Sequence, residues 1–266
     1  MTFQPVIPAV GLSGWRFLQR TYDDQLSAFS KSPKLERDSD YFKEKIATIQ
    51  SAEDLVRDRR LLGVALGAFG LQADIDNRYF IQKILQDGTE SDDALANRLT
   101  DKRYKEMSEA FGFGPGATSK TTNALAMAEI AARNKVQEFE ISVGNQDDSM
   151  RIALYAQREL AELAGSDKSE DAKWFTLMGL PPLRTMFETA LGLPKSFGQI
   201  DIDQQLDVFR DKIRGVIGED TVTQFNDAEA LERITTLYLA RSQIENLNAS
   251  TSAGANALTL LRAAGK

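Results

Sequence analysis

The sequence of 266 residues contains no histidine and no cysteine. Histidine has the ordinary pKa closest to neutral pH and is the most frequent metal ligand in proteins. Its absence, with that of cysteine, excludes a Ser-His-Asp triad, a Cys-His pair, the usual zinc sites and a disulfide framework. The carboxylates, lysines, arginines, tyrosines and hydroxyl residues that remain show no spacing typical of a catalytic site. We therefore predict no catalytic residue, no metal site and no cofactor.

The sequence also lacks an excess of positive charge and a long hydrophobic run. Acidic residues outnumber basic ones by 39 to 32, so the formal net charge is −7, which disfavours nucleic acid as a partner. No apolar run approaches the ~18 residues that would span a bilayer, so no membrane insertion is expected. The uncharged N-terminal stretch follows no basic residue and is a poor secretory signal peptide. We expect a cytoplasmic protein or one exported by another route.

A helical periodicity extends through nearly the whole chain, without a convincing alternating strand pattern. Leu55, Leu62, Leu66 and Phe69 predict the buried face of one helix that begins after Ser51. A second, longer helix is predicted over 122–143, with Leu125, Ala132, Val136, Phe139 and Val143 along one face. The sequence therefore predicts an all-α fold, a multihelical bundle.

The densest cluster of helix-breaking residues is the Gly-Phe-Gly-Pro-Gly run at 112–116. Placing the main boundary there divides the chain into an N-terminal helical half (1–111), a Gly-rich junction (112–121), a C-terminal helical half (122–247) and a flexible tail (248–266). The tail is predicted to be flexible because it is rich in small and polar residues.

The two halves share a short pattern. Ala-Leu-Gly occurs at 65–67 and at 190–192, and Asp-Ile-Asp follows each time. The pattern favours two distantly related helical halves, an internal repeat. Chance similarity between amphipathic helices is the competing explanation.

Gly63 and Gly67 lie one turn apart on the helix predicted after Ser51. An interior glycine costs a soluble helix roughly 1 kcal/mol relative to alanine. Two of them suggest that another backbone packs closely there, and the alternative is a ligand that approaches the groove.

Two segments are candidates for partner binding. The first is a polar string with cations, a carboxylate and a phenol: Asn97, Arg98, Asp101, Arg103 and Tyr104. Helix capping, ion pairing and packing would explain the same residues without a site. The second is an apolar group in the tail that could form a helical turn and enter a partner's groove: Leu258, Leu260, Leu261 and Arg262.

A series of motifs between residues 38 and 113 carries a family resemblance. They are Asp40-Tyr41-Phe42, Ser51-Ala52-Glu53-Asp54-Leu55, Leu61-Leu62, Ala65-Leu66-Gly67-Ala68-Phe69-Gly70-Leu71, Phe80-Ile81-x-Lys83-Ile84-Leu85 and Ala96-Asn97-Arg98-Leu99-x-Asp101-x-Arg103-Tyr104. With them the chain resembles an alphaproteobacterial family of unknown function whose genes commonly lie among flagellar genes. The resemblance implies a multihelical fold and a link to the flagellum. It implies no activity, cofactor or catalytic residue.

Two functions are compatible with these observations. We favour a non-enzymatic helical interaction protein, an accessory or regulator of the flagellar system whose partner is a flagellar protein. In that case export by the flagellar route is an alternative to a cytoplasmic location. The second function is a carboxylate-based enzyme acting on cell-wall glycan near the flagellum. It requires two carboxylates ~5–9.5 Å apart, or a lysine or glutamate whose pKa is displaced by burial. The sequence leaves the oligomeric state open.

Overall fold

The computed structural model describes the backbone of residues 3–264 and the side chains of residues 3–248. Over this part of the chain there are thirteen α-helices and no strand, which confirms the predicted all-α fold. The first seven helices are α1 (Gly11–Ser30), α2 (Pro33–Lys45), α3 (Ala52–Arg57), α4 (Arg59–Ala68), α5 (Arg78–Asp87), α6 (Leu95–Arg98) and α7 (Arg103–Phe111). The other six are α8 (Ala124–Gly144), α9 (Asp148–Ala164), α10 (Glu170–Met178), α11 (Pro181–Leu191), α12 (Ile202–Val216) and α13 (Ala228–Ala264).

The chain divides into two compact units. Unit 1 comprises Met1–Ile7, Phe17–Gln146 and Gly179–Pro181, and unit 2 comprises Pro8–Arg16, Asp147–Met178 and Pro182–Lys266. The Gly-rich segment 112–121, predicted to be the junction between two halves, lies within unit 1. Helix α8, which follows it, packs on α4 more extensively than any other pair of described elements packs together. The chain therefore folds back after the glycines, and this division differs from the predicted one.

The start of the core of unit 1 follows directly from local sequence. The side chain of Ser51 accepts a hydrogen bond from the backbone N–H of Asp54, and the carboxylate of Asp54 accepts one from the backbone N–H of Ser51. These two bonds form the predicted capping box, and α3 begins there. The predicted stripe residues Leu55, Leu62 and Leu66 are fully buried. Burying one such side chain contributes ~1.5–3 kcal/mol.

One predicted helix is in fact two. Asp58 has an extended backbone, and its carboxylate accepts hydrogen bonds from the N–H groups of Arg60 (2.9 Å) and Leu61 (3.0 Å). It therefore ends α3 and caps α4, because an aspartate in this position satisfies the free donors of a new first turn. Helix α4, which begins after this break, packs on α8.

The Gly-rich segment allows two loops to cross. A Cβ on Gly114 would lie 2.4 Å from the Cα of Gly88, and a Cβ on Gly88 would lie 2.7 Å from the Cα of Gly114. No side chain tolerates such a distance from another backbone, so glycine is required at both positions. The segment brings the chain from α7 across the end of α5 and then into α8.

Unit 2 is built around aromatic side chains. Trp174 stacks on Phe209 with ring centroids 6.0 Å apart, and Phe187 makes edge contacts with Trp174, Phe209 and Phe225. All four rings are buried. Edge and offset contacts of this kind each add ~0.5–1.5 kcal/mol beyond the area that they bury.

The last helix of unit 2 continues far beyond the predicted one. The backbone of α13 remains helical through Ala264, whereas the sequence predicted a flexible tail from residue 248. Alanine has the highest helix propensity of all residues, and the segment 249–264 is rich in it. No helix among the described residues is both long enough and apolar enough to cross a membrane.

Candidate functional site

The predicted polar string is split into two groups by the structure. Asp101 and Arg103 form a bidentate ion pair, with Nη2 2.7 Å from Oδ2 and Nε 3.0 Å from Oδ1. The same guanidinium donates from Nη1 to the carbonyl of Gly70 at 2.6 Å. Arg103 therefore joins the start of α7 to the chain segment that follows α4, where a cation is favoured by the free carbonyls of a helix end.

Tyr104 belongs to the same group. Its hydroxyl donates to Asp74 at 2.6 Å, and its ring makes an edge contact with Phe80 at 5.3 Å. Burial, followed by the hydrogen bond to Asp74, raises the pKa of Tyr104. The phenol therefore stays protonated at neutral pH and acts as a hydrogen-bond donor.

The other two members of the string lie apart from this ion pair. The amide of Asn97 donates to the carbonyls of Thr89 and Ser91, both at 2.8 Å, and so fastens the loop before α6. Arg98 is exposed at the end of α6. The structure thus brings together Asp101, Arg103 and Tyr104, and it gives each of these three side chains a partner within unit 1.

A pocket lies between α2, α4 and α8, at the groove for which Gly63 suggested a ligand as the alternative to close packing, and we call it the Gly63 pocket. Its volume is about 400 Å³, within the range of small-molecule sites. The lining residues are Lys34, Leu35, Asp38, Arg59, Arg60, Gly63, Val64, Gln72, Ile75, Asn134 and Glu138. All of these residues belong to unit 1.

The two glycines of α4 have different surroundings. A Cβ on Gly67 would lie 1.9 Å from Oδ1 of Asn134, so this glycine allows α8 to approach α4. A Cβ on Gly63 would meet no atom within 4 Å, because it would enter the pocket. Close packing of another element, the first explanation offered by the sequence, therefore applies to Gly67. The alternative, open space for a ligand, fits Gly63.

Cations at the pocket are partly neutralised. Arg59 pairs with Asp76 at 2.6 Å, and Arg60 pairs with Asp38 at 2.7 Å. The guanidinium of Arg60 also lies 4.4 Å from the ring centre of Tyr41, a cation–π contact. Lys34, on the exposed part of α2, adds a third positive charge to the lining.

Helix α8 contributes hydrogen-bond acceptors to the same pocket. Asn134 is only 5% exposed, and its Oδ1 has no hydrogen-bond partner in the described part of the chain. Glu138 lies one turn further along the helix, where burial raises the pKa of its carboxyl group, while Lys34 and a hydrogen bond from Gln72 act in the opposite direction. Oδ1 of Asn134 lies against Gly67, and the carboxylate of Glu138 accepts a hydrogen bond from Gln72.

The second group of partner-binding candidates belongs to the end of α13. The side chains of Leu258, Leu260, Leu261 and Arg262 lie outside the described residues. Among the described side chains of α13 the last buried one is Ser242, and the six that follow it, at 243–248, are exposed. Ile244 is 57% exposed and Leu247 is 59% exposed.

The fold and the site define an all-α, multihelical protein with a polar pocket between three helices. The chain belongs to the family described as protein of unknown function (DUF1217), which it matches over residues 68–231. This agrees with the family of unknown function that the motifs indicated; the proximity to flagellar genes stays a prediction.

The chain is also similar to a protein from Agrobacterium tumefaciens whose X-ray crystal structure is known. The TM-score is 0.69 and the sequence identity is 25%, over 88% of this chain and 97% of that chain. Among curated proteins none matches the sequence.

Proposed function

We propose that the protein is a non-enzymatic interaction protein that binds a helical partner protein through the end of α13. The observation that supports this most directly is the loss of burial along that helix. Up to Ser242 the helix packs in unit 2, and from residue 243 every described side chain is exposed although the backbone stays helical. A helix that leaves its own core in this way presents a complete face for another helix.

The spacing of apolar residues on this helix fits a helix as partner. Ile244 and Leu247 are three residues apart, and the sequence repeats the same spacing fourteen residues later at Leu258 and Leu261. Two heptads separate the pairs, so both lie on the same side of a regular helix, with Thr251 and Gly254 at the matching positions between them. Leu260 lies between the two members of the second pair in sequence, and Arg262 follows them.

We propose further that the partner is a component of the bacterial flagellum and that the protein is an accessory or regulator of that system. The support is the family resemblance, which implies genes that lie among flagellar genes. The protein would act in the cytoplasm or after export by the flagellar route.

The test is a tagged pull-down from motile cells. The double variant Leu258→Asp/Leu261→Asp should lose a flagellar partner that the unaltered chain retains, because two charges cannot enter an apolar seam. The matched control Asn256→Asp/Thr259→Asp adds the same charge to polar positions of the same segment and should retain the partner. Equal recovery by both variants would overturn the proposal. A swimming assay on the deletion strain then tests the flagellar link.

The alternative, a carboxylate-based enzyme acting on cell-wall glycan, has one observation in its favour. Glu138 in the Gly63 pocket has a pKa raised by burial, a property that a general acid needs. Hydrolysis of cell-wall glycan by the purified protein, lost in Glu138→Gln, would favour this function over the first.

A further inference from the structure

We propose that the end of α13 pairs with the same segment of a second copy of this chain, with the two helices antiparallel. The pair uses the face of α13 on which the proposed function rests, so a second copy and a flagellar partner exclude each other there. Self-pairing needs no flagellar protein, and it can be measured on the purified chain alone.

The apolar positions at the end of α13 are arranged symmetrically. Ile244 and Leu247 on one side of the midpoint of 244–261 correspond to Leu261 and Leu258 on the other. When two copies of such a helix run in opposite directions, Ile244 of one copy lies level with Leu261 of the second copy, and Leu247 lies level with Leu258. The same face thus serves both copies, as a two-fold interface requires.

The structure shows that the first half of this face is open. Ile244 is 57% exposed and Leu247 is 59% exposed, although the backbone continues as a helix through Ala264. At the centre of the segment Thr251 of one copy would lie level with Gly254 of the second copy. Both residues are small, so the two helices can approach closely at this point.

The charges favour the antiparallel direction. Over residues 242–265 the sequence contains only two charged residues, Glu245 and Arg262. In an antiparallel pair Glu245 of each copy lies within one turn of Arg262 of the other, whereas a parallel pair would place like charges level with each other. The preceding cation, Arg241, is directed elsewhere, because its guanidinium lies against Gly192.

The antiparallel direction also provides room for the rest of each copy. Burial of the described side chains on α13 ends at Ser242. Residues 244–261 span ~27 Å at the rise of an α-helix. Ser242 of one copy and Ser242 of the second copy would therefore lie at opposite ends of the seam, whereas a parallel pair would bring them to the same end.

Sedimentation of the purified full chain at increasing concentration tests the self-pairing. We expect mainly monomer near ~1 µM and mainly dimer near ~100 µM, because the seam is short. Leu247→Asp/Leu258→Asp should remain monomeric, because it places like charges opposite each other in the seam. The matched control Asn246→Asp/Thr259→Asp adds the same charge on the outer side of the helix and should dimerise like the original chain.

Engineered cysteines test the direction, since the natural sequence contains none. Leu247→Cys and Leu258→Cys are made as two separate chains. In an antiparallel pair the two altered positions face each other, so a mixture under mild oxidation should give at least about fivefold more disulfide-linked dimer than either variant alone. In a parallel pair each variant would link to itself.

Three results would overturn the proposal. They are a monomer at every concentration up to ~200 µM, a dimer of Leu247→Asp/Leu258→Asp as tight as that of the original chain, and a disulfide that each cysteine variant forms alone as readily as the mixture. None of them removes a flagellar partner from the pull-down, and loss of that partner would leave the dimer of the purified chain in place.

Discussion

The side-chain oxygen of Asn134 on α8 occupies the space that a Cβ on Gly67 of α4 would need, at a distance of 1.9 Å. The contact lets the two helices approach closely, and it explains why one of the two glycines of α4 is indispensable. The other glycine, Gly63, has open space instead. The pair therefore provides an internal comparison on a single helix.

Gly63→Ala and Gly67→Ala should have opposite effects on stability. Alanine at residue 63 should stabilise the protein by about 0.5–1 kcal/mol through helix propensity alone. At residue 67 it should destabilise the protein by about 1–3 kcal/mol, because Asn134 is buried and must shift. Denaturant unfolding measures both, and the double variant Gly67→Ala/Asn134→Ala should recover part of the loss. The same sign for both single variants would contradict the packing described for α4 and α8.

The carboxyl group of Glu138 should make stability depend on pH. Its folded-state pKa is raised above the ordinary 4.5, so its contribution to stability is complete below that pH and is lost as pH rises through the raised value. Glu138→Gln removes this loss. The variant should therefore match the original chain near pH 4 and exceed it in Tm near pH 7.

Glu129→Gln is the control for this series, since Glu129 is exposed on the same helix. A Tm for Glu138→Gln that stays equal to the original at every pH would show that burial does not act on this carboxyl group.

Lys173 is a buried cation that holds unit 2 together. Its Nζ donates to the carbonyl of Ala164 at 2.9 Å and to the hydroxyl of Thr223 at 2.8 Å, and it lies 3.7 Å from Glu170. Lys173→Met should destabilise the protein by about 3–5 kcal/mol, because buried partners lose their donor and Glu170 loses its counter-charge.

The exposed Lys168 offers the comparison, and Lys168→Met should change stability by less than about 0.5 kcal/mol. Unfolding in urea distinguishes the two variants. Similar small effects would mean that the Lys173 network contributes little.

Much of the local structure could be predicted, as the start of α3 illustrates. Ser51 and Asp54 form a capping box within four residues of sequence, so the signal is local and complete. The break at Asp58 was missed because the apolar spacing continues across it. The residue that marks this break is Asp58, whose carboxylate accepts from the backbone N–H groups of Arg60 and Leu61. An aspartate at the start of a helix is a local signal, so the break could have been predicted from the sequence.

The buried face of α8 could not be predicted from apolar spacing. Phe139 and Val143 are buried as expected, but Leu125 is 85% exposed. Instead the helix buries polar residues, among them Asn134 and Gln137. Their burial depends on neighbours that are distant in sequence, such as Gly67. Because such neighbours are not visible in a local pattern, only Gly63 indicated the Gly63 pocket in the sequence.

The internal repeat stays a prediction. The shared Ala-Leu-Gly pattern places Gly67 inside α4, whereas Gly192 follows the last residue of α11 and has a φ of +65°. The same three residues thus serve different local structures. A similarity of this length between two helices carries little information on its own, because helical periodicity generates such matches.

The most direct test of partner binding by α13 is photo-crosslinking in motile cells. A photoreactive phenylalanine analogue would replace Ile244 in one variant and Asn246, about 200° round the helix, in another; both positions are exposed. We predict a cross-linked product with a second protein from residue 244 and a much weaker one from residue 246. Equal products from both positions, or none from either, would contradict the proposed binding face.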